Sequence, residues 1–160
     1  KTAARELKEE SANMFRLNSD TLTDNNAVRH NNYVCYFLYI RGPKDKNNNY
    51  PIFSQHYYDN MKIINNSNAP SFWKETDSLV RVSIQQFIQD GGLTATGDLN
   101  TVDTNNNKIT IMGRTKGCIR NAINDGTYDR ALNKLITLNE NKDYKNSNVG
   151  YLNGTKTYWT

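Results

Sequence analysis

At 160 residues and 18.4 kDa the chain has room for one domain with a real core, and it contains neither a transmembrane run nor the apolar stretch of a signal peptide. It is 36% hydrophobic, with a formal charge of +4 and a pI of about 9.0, but its twenty basic groups are scattered as in Arg41, Lys44, Lys46, Arg114, Lys116, Arg120, Lys142 and Lys145. Scattering of this kind describes a solvated surface better than a nucleic-acid groove. Asparagine makes up roughly one residue in six, well above ordinary usage, and AT-rich codons explain it together with the ten tyrosines.

The first 41 residues contain neither glycine nor proline. Ala4, Leu7, Ser11, Met14, Asn18, Thr21, Asn25 and Val28 recur at spacings of three and four, which predicts a helix from Lys1 to about His30. Such a helix of about 28 residues would be about 42 Å long at 1.5 Å per residue. It has no cap at its front, and with Lys1 in place of methionine the expectation is a longer precursor whose helix continues upstream. An apolar strand at residues 33–40 follows, then a loop at residues 42–51 marked by Gly42, Pro43 and Pro51. Further strands are expected within residues 52–58 and 61–64. Another is expected at residues 79–86, where Val80, Val82 and Ile84 alternate with polar groups. After Gly91 and Gly92, residues 99–102 and 108–112 flank an Asp-Thr-Asn-Asn-Asn tip and read as a hairpin. Residues 118–123 and 128–138 fit helix and strand alike. Residues 150–159 carry an Asn-Gly turn between aromatic flanks, the signature of a C-terminal hairpin, and residues 142–148 form a polar loop before it.

Few residues carry recognisable chemistry. Any acid/base pair must use His30 or His56, and neither has a partner at a defined spacing; no HxxxH pattern supports a metal. Asp103 opens a loop that resembles a calcium site, yet Lys108 stands where glycine is required and Arg114 where glutamate is required, so a hairpin tip is expected instead. Ser71-Phe72-Trp73-Lys74 matches a Ser-x-x-Lys pattern without the accompanying motifs and counts as coincidence. The triplets beginning at Asn65 and Asn153 are chance products of an asparagine-rich chain. Cys35 and Cys118 lack CxxC spacing and lie in apolar surroundings, which favours two buried free thiols; the alternative is a disulfide between them in an oxidising compartment.

A long helix followed at once by a strand and antiparallel strands behind it resembles truncated type IV pilins and pseudopilins. Ala4-Arg5-Glu6-Leu7-Lys8-Glu9-Glu10 and the junction Asn26-Ala27-Val28-Arg29-His30-Asn31-Asn32-Tyr33-Val34 are similar to the corresponding segments of minor pilins of the pseudopilin H type. The resemblance implies an α+β pilin-like domain spanning residues 1–160, with a helix over residues 1–31 packed on an antiparallel sheet in residues 32–160. That sheet would contain residues 33–40, 79–86, 108–112 and the C-terminal hairpin, with Leu7, Met14, Val28, Val34, Leu38, Val82, Ile84, Ile109 and Ile111 buried.

The implied function is a structural, non-enzymatic and cofactor-free filament subunit acting in assembly, adhesion, motility or secretion. Leu7, Ser11 and Met14 would face neighbouring subunits. The protein would be extracellular and membrane-inserted before assembly through an upstream segment; the AT-biased composition is compatible with a low-GC Gram-positive source. Two alternatives stand beside it. One is a small basic secreted enzyme, such as a nuclease or toxin domain, that uses His30 or His56 with Arg114 or Arg120. The other is a nucleic-acid or glycan binding module whose tyrosines stack on bases or sugars.

Overall fold

The structure, a computed structural model, describes residues 3–13, 15, 17, 19–41, 54–94 and 96–137. Helices and two-stranded sheets are both present, giving an α+β chain. Backbone contacts divide it into two units: Lys1–Thr21 with Ile40–Leu79 and Ile136–Thr160, and Leu22–Tyr39 with Val80–Leu135. No described helix is long and apolar enough to cross a membrane.

In the first unit, helix α1 spans only Ala3–Glu10, supported by an Arg5–Glu9 ion pair at 2.8 Å across one turn. The expected helix to His30 is not formed. The chain turns left-handed at Ala12 (φ 53°) and Asn13 (φ 66°). Asn13 N–H donates to the Lys8 carbonyl at 2.7 Å and Ala12 N–H to the Glu9 carbonyl at 3.2 Å, the paired bonds that close a helix C-terminus. Glycine is the usual residue for this turn, and its absence is why periodicity overran the stop. Ala12 holds the strained conformation because it is fully buried among Tyr57, Met61, Ile64, Ala69 and Trp73.

Helix α2 covers Ser54–Asn65, where strands were expected at residues 52–58 and 61–64. Tyr57, Asn60, Met61 and Ile64 are its buried positions, a spacing of three and four that belongs to a helix. A 3₁₀ turn, Ser71–Trp73, carries Trp73 into the same core and contacts α1. A relay of hydroxyls fastens the edge: Tyr57 donates to Thr76 at 2.8 Å, and Thr76 donates to the Glu10 carbonyl at 2.9 Å.

The second unit begins with strands β1 (Ala27–His30) and β2 (Tyr33–Tyr36), antiparallel with Val28 opposite Cys35 and His30 opposite Tyr33. Residues 27–30 are therefore strand and not the end of a helix. Asn31 takes the left-handed turn position at φ 53°, which asparagine tolerates. Residues 79–83 run on without forming a strand, and helix α3 follows at Ile84–Gln89. The predicted strand at residues 79–86 is thus corrected. Ser83 Oγ accepts the Gln86 N–H at 3.0 Å as an N-cap, and Ile84, Phe87 and Ile88 have helical spacing, with Phe87 buried.

Strands β4 (Leu99–Val102) and β5 (Lys108–Ile111) form the expected hairpin, with Leu99 opposite Ile111 and Asn100 opposite Thr110. Helix α4 (Gly113–Asp125) packs on β1 and β2, and α5 (Thr127–Leu132) packs on α4. Strand β3 (Tyr39–Arg41) pairs with β6 (Leu135–Thr137), so residues 128–137 hold helix and then strand.

Of the residues expected in the core, Val28 is buried; Leu7, Val34, Leu38, Val82, Ile84, Ile109 and Ile111 are half-buried. Met14, the loops at residues 42–51 and 142–148 and the C-terminal hairpin at residues 150–159 lie outside the described residues. Ile64 is fully buried in the first unit's core, so Ile64→Ala should cost about 2–4 kcal/mol, read as a lower midpoint in urea unfolding.

Candidate functional site

The β4–β5 hairpin sends alternate side chains to opposite faces. Leu99, Thr101, Ile109 and Ile111 share one face, and Asn100, Val102, Lys108 and Thr110 share the other. Helix α3 packs against β4, and a groove of about 630 Å³ runs beside them, lined by Gln86, Asp90, Asn100, Thr101, Val102, Lys108, Ile109 and Thr110.

The polar groups are held in fixed orientations. Asp90 Oδ2 accepts hydrogen bonds from Gln86 Nε2 at 2.8 Å and Thr101 Oγ1 at 2.7 Å, and these bonds lower its pKa from the ordinary carboxylate value. Across the hairpin Thr110 Oγ1 donates to Asn100 Oδ1 at 3.1 Å. The groove therefore combines an ionised carboxylate, carboxamides, hydroxyls and an ammonium with two aliphatic side chains. The sequence alone did not reveal it, because residues 79–86 were taken for a strand; the signal for α3 was Ser83 ahead of Ile84, Phe87 and Ile88.

At the hairpin tip Asp103 Oδ1 accepts the backbone N–H groups of Asn105 at 2.8 Å and Asn107 at 2.9 Å, and Asn106 is left-handed at φ 63°. The carboxylate that resembled the start of a calcium loop is thus spent on organising the turn.

Helix α4 gathers the residues that the sequence singled out. Its buried face includes Lys116, Gly117, Cys118 and Ala122. Lys116 Nζ donates to Thr94 Oγ1 and the Thr96 carbonyl, both at 3.0 Å, so this buried amine finds hydrogen-bond acceptors in its own unit. A Cβ at Gly117 would lie 2.6 Å from the His30 ring atoms Cε1 and Nε2. Glycine is required there by close approach, and His30 acts as a packing residue against the helix. His56 lies in α2 with its side chain outside the described residues. Arg114 sits 5.0 Å from the Tyr33 ring centroid in a cation–π contact, and Arg120 Nη1 reaches the Thr94 carbonyl at 3.4 Å.

Cys35 on β2 and Cys118 on α4 are free thiols on facing elements: Cys35 lies two residues after Tyr33, and Cys118 one turn after Arg114, which covers the Tyr33 ring. Cys118 is buried, as expected, and Cys35 is half-buried. Burial pushes the Cys35 thiol up to about 12, the Cys118 thiol adds to the rise, and the Arg114 guanidinium opposes it. Among the residues marked as filament-facing, Leu7 is half-buried and Ser11 is buried at 3% exposure beyond the end of α1. Among the described residues no group of three or more His, Cys, Asp or Glu side chains is disposed to hold a metal ion.

The pKa of Asp103 is lowered chiefly by the Asn107 N–H. Burial opposes this, and the Asn105 N–H and the Asn107 side chain add to it. The hairpin stabilisation from Asp103 is therefore fully present above the unfolded value of about 3.9 and is lost as pH falls below it. Thermal melts at pH 6 and pH 3 should show a smaller acid-induced drop for Asp103→Asn than for the wild type. Comparison with protein-family models, with curated proteins and with solved structures gives no match.

Proposed function

We propose that the chain is a non-catalytic recognition module and that the groove beside α3 and the β4–β5 hairpin takes a polyhydroxylated ligand, a glycan. The observation that supports this reading is the lining: Gln86, Asn100, Thr101, Thr110 and Asp90 present donors and acceptors held by mutual hydrogen bonds, with Val102 and Ile109 as apolar patches. Polar groups that fix orientation beside apolar contact surface are the usual make-up of a small-ligand site. Both described bonds to Asp90 use Oδ2, so Oδ1 is the atom that accepts a ligand hydroxyl.

A hydrogen bond lost on truncation costs about 1–1.5 kcal/mol, roughly tenfold in affinity. In NMR titrations against a panel of oligosaccharides, shifts should centre on residues 86–90, 100–102 and 108–110. Asn100→Ala and Asp90→Asn should each weaken binding about tenfold. Shifts confined elsewhere, or no binding at millimolar sugar, would overturn the reading. Binding to DNA that weakens steeply with salt would transfer it to the nucleic-acid class.

The filament-subunit reading is compatible with this one, since a filament can display a recognition module. Its support is the α+β architecture and the text of residues 4–10 and 26–34, without the long helix. It requires the gene to encode about 20–30 mostly apolar residues before Lys1, preceded by a short basic leader. Sequencing the reading frame tests this, and a conventional signal peptide joined through a flexible linker would sink it.

A further inference from the structure

Cys35 and Cys118 are separated by about 80 residues of chain, so their meeting is a product of tertiary packing. Cys35 lies opposite Val28, which is 3% exposed, in the paired strands β1 and β2. Helix α4 packs on both strands, and at Gly117, the residue before Cys118, it comes so near the His30 ring that a Cβ would not fit. Cys118 has no exposed surface and lies one turn after Arg114, whose guanidinium covers the ring of Tyr33, the residue two before Cys35 on the same face of β2. The packing of α4 on the paired strands thus sets the two reduced sulfurs side by side.

We propose that this pair is a cross-linking site, at which Cys35 and Cys118 close to a disulfide that staples the β1–β2 hairpin to α4 at the expense of a small-molecule disulfide such as oxidised glutathione. Cys35 is the more accessible sulfur and reacts first. Its thiolate attacks one sulfur of the glutathione disulfide, that S–S bond breaks, and one glutathione thiolate leaves and takes up a proton. The deprotonated Cys118 then attacks the Cys35 sulfur of the mixed disulfide and expels the second glutathione, which is protonated in turn. Two protein thiols are oxidised, one glutathione disulfide is reduced to two thiols, and the chain loses two hydrogens. The high thiol pKa of Cys35 makes the first attack slow at neutral pH. Burial of Cys118 leaves Cys35 as the side from which a small reductant reaches the finished bond.

The full chain, reduced and then held with oxidised glutathione, should lose two hydrogens by intact mass. Its peptide map should join residues 35 and 118, and no thiol should titrate after unfolding in denaturant. Closing so long a loop should raise the melting temperature by about 5–10 °C, reversibly with dithiothreitol. Cys118→Ala should stop at a glutathione adduct on Cys35 with no such rise. Two thiols surviving oxidation, a lasting glutathione adduct in the wild type, a disulfide-linked pair of chains, or an intramolecular disulfide that lowers the melting temperature would each overturn the proposal. Wild-type oxidation decides the matter even if the alanine variant does not fold.

Discussion

The carbonyl of Ala12 accepts a hydrogen bond from Asn60 Nδ2 at 2.8 Å, and both residues are buried. This contact fixes the place where α1 stops. A left-handed alanine is costly because its Cβ crowds the neighbouring carbonyl, and it persists only where surrounding structure holds it. Here the closing bonds from Ala12 and Asn13 hold the turn from one side, and α2, with Asn60 and the Tyr57–Met61–Ile64 face, holds it from the other. The course of the remaining chain follows from that stop. With the helix ended at Glu10, residues 27–30 are free to pair as a strand with residues 33–36.

The second unit is organised by the close approach of α4 to the β1–β2 hairpin. Gly117 permits the His30 ring to lie against the helix, and the next residue, Cys118, is thereby brought to Cys35. The helix N-terminus is satisfied locally, with Gly113 N–H donating to Asp98 Oδ1 at 2.7 Å, an anion where the helix dipole favours one. The two side chains that looked most like catalytic candidates in this unit, His30 and Arg114, are both engaged in packing: one on glycine, the other on the Tyr33 ring. Both side chains thus serve architecture, and the polar groups of the groove by α3 are held by bonds to one another.

Where the sequence was legible, the signals were local. The hairpin at residues 99–111 was readable because strand patterning flanked a polar tip whose Asp103 organises its own turn. The strand expected at residues 33–40 was readable in part from its run of apolar and aromatic residues: it breaks at Phe37 and Leu38 into β2 and β3, which pair in different sheets. Apart from α1, whose stop lacks a glycine, the misread segments failed because a short apolar run satisfies more than one period. Val80, Val82 and Ile84 alternate as a strand does, but Ile84, Phe87 and Ile88 repeat as a helix does, and the Ser83 cap together with Phe87 burial selects the helix. The groove was invisible because it needed that helix.

By itself, therefore, the sequence determined the mixed α+β character, the β4–β5 hairpin and the apolar setting of the cysteines, each set by side chains within a few residues of one another. Only the tertiary structure decided the length of α1, the helical state of residues 54–65 and 84–89, the meeting of Cys35 with Cys118, and the groove. Each of these depends on a partner distant in the chain. Asn60 and the core around it hold Ala12 in a turn that alanine does not favour, and burial of Tyr57, Met61 and Ile64 on one face selects a helix where the local text allowed a strand. The packing of α4 on the hairpin joins two sulfurs that no spacing in the sequence connects.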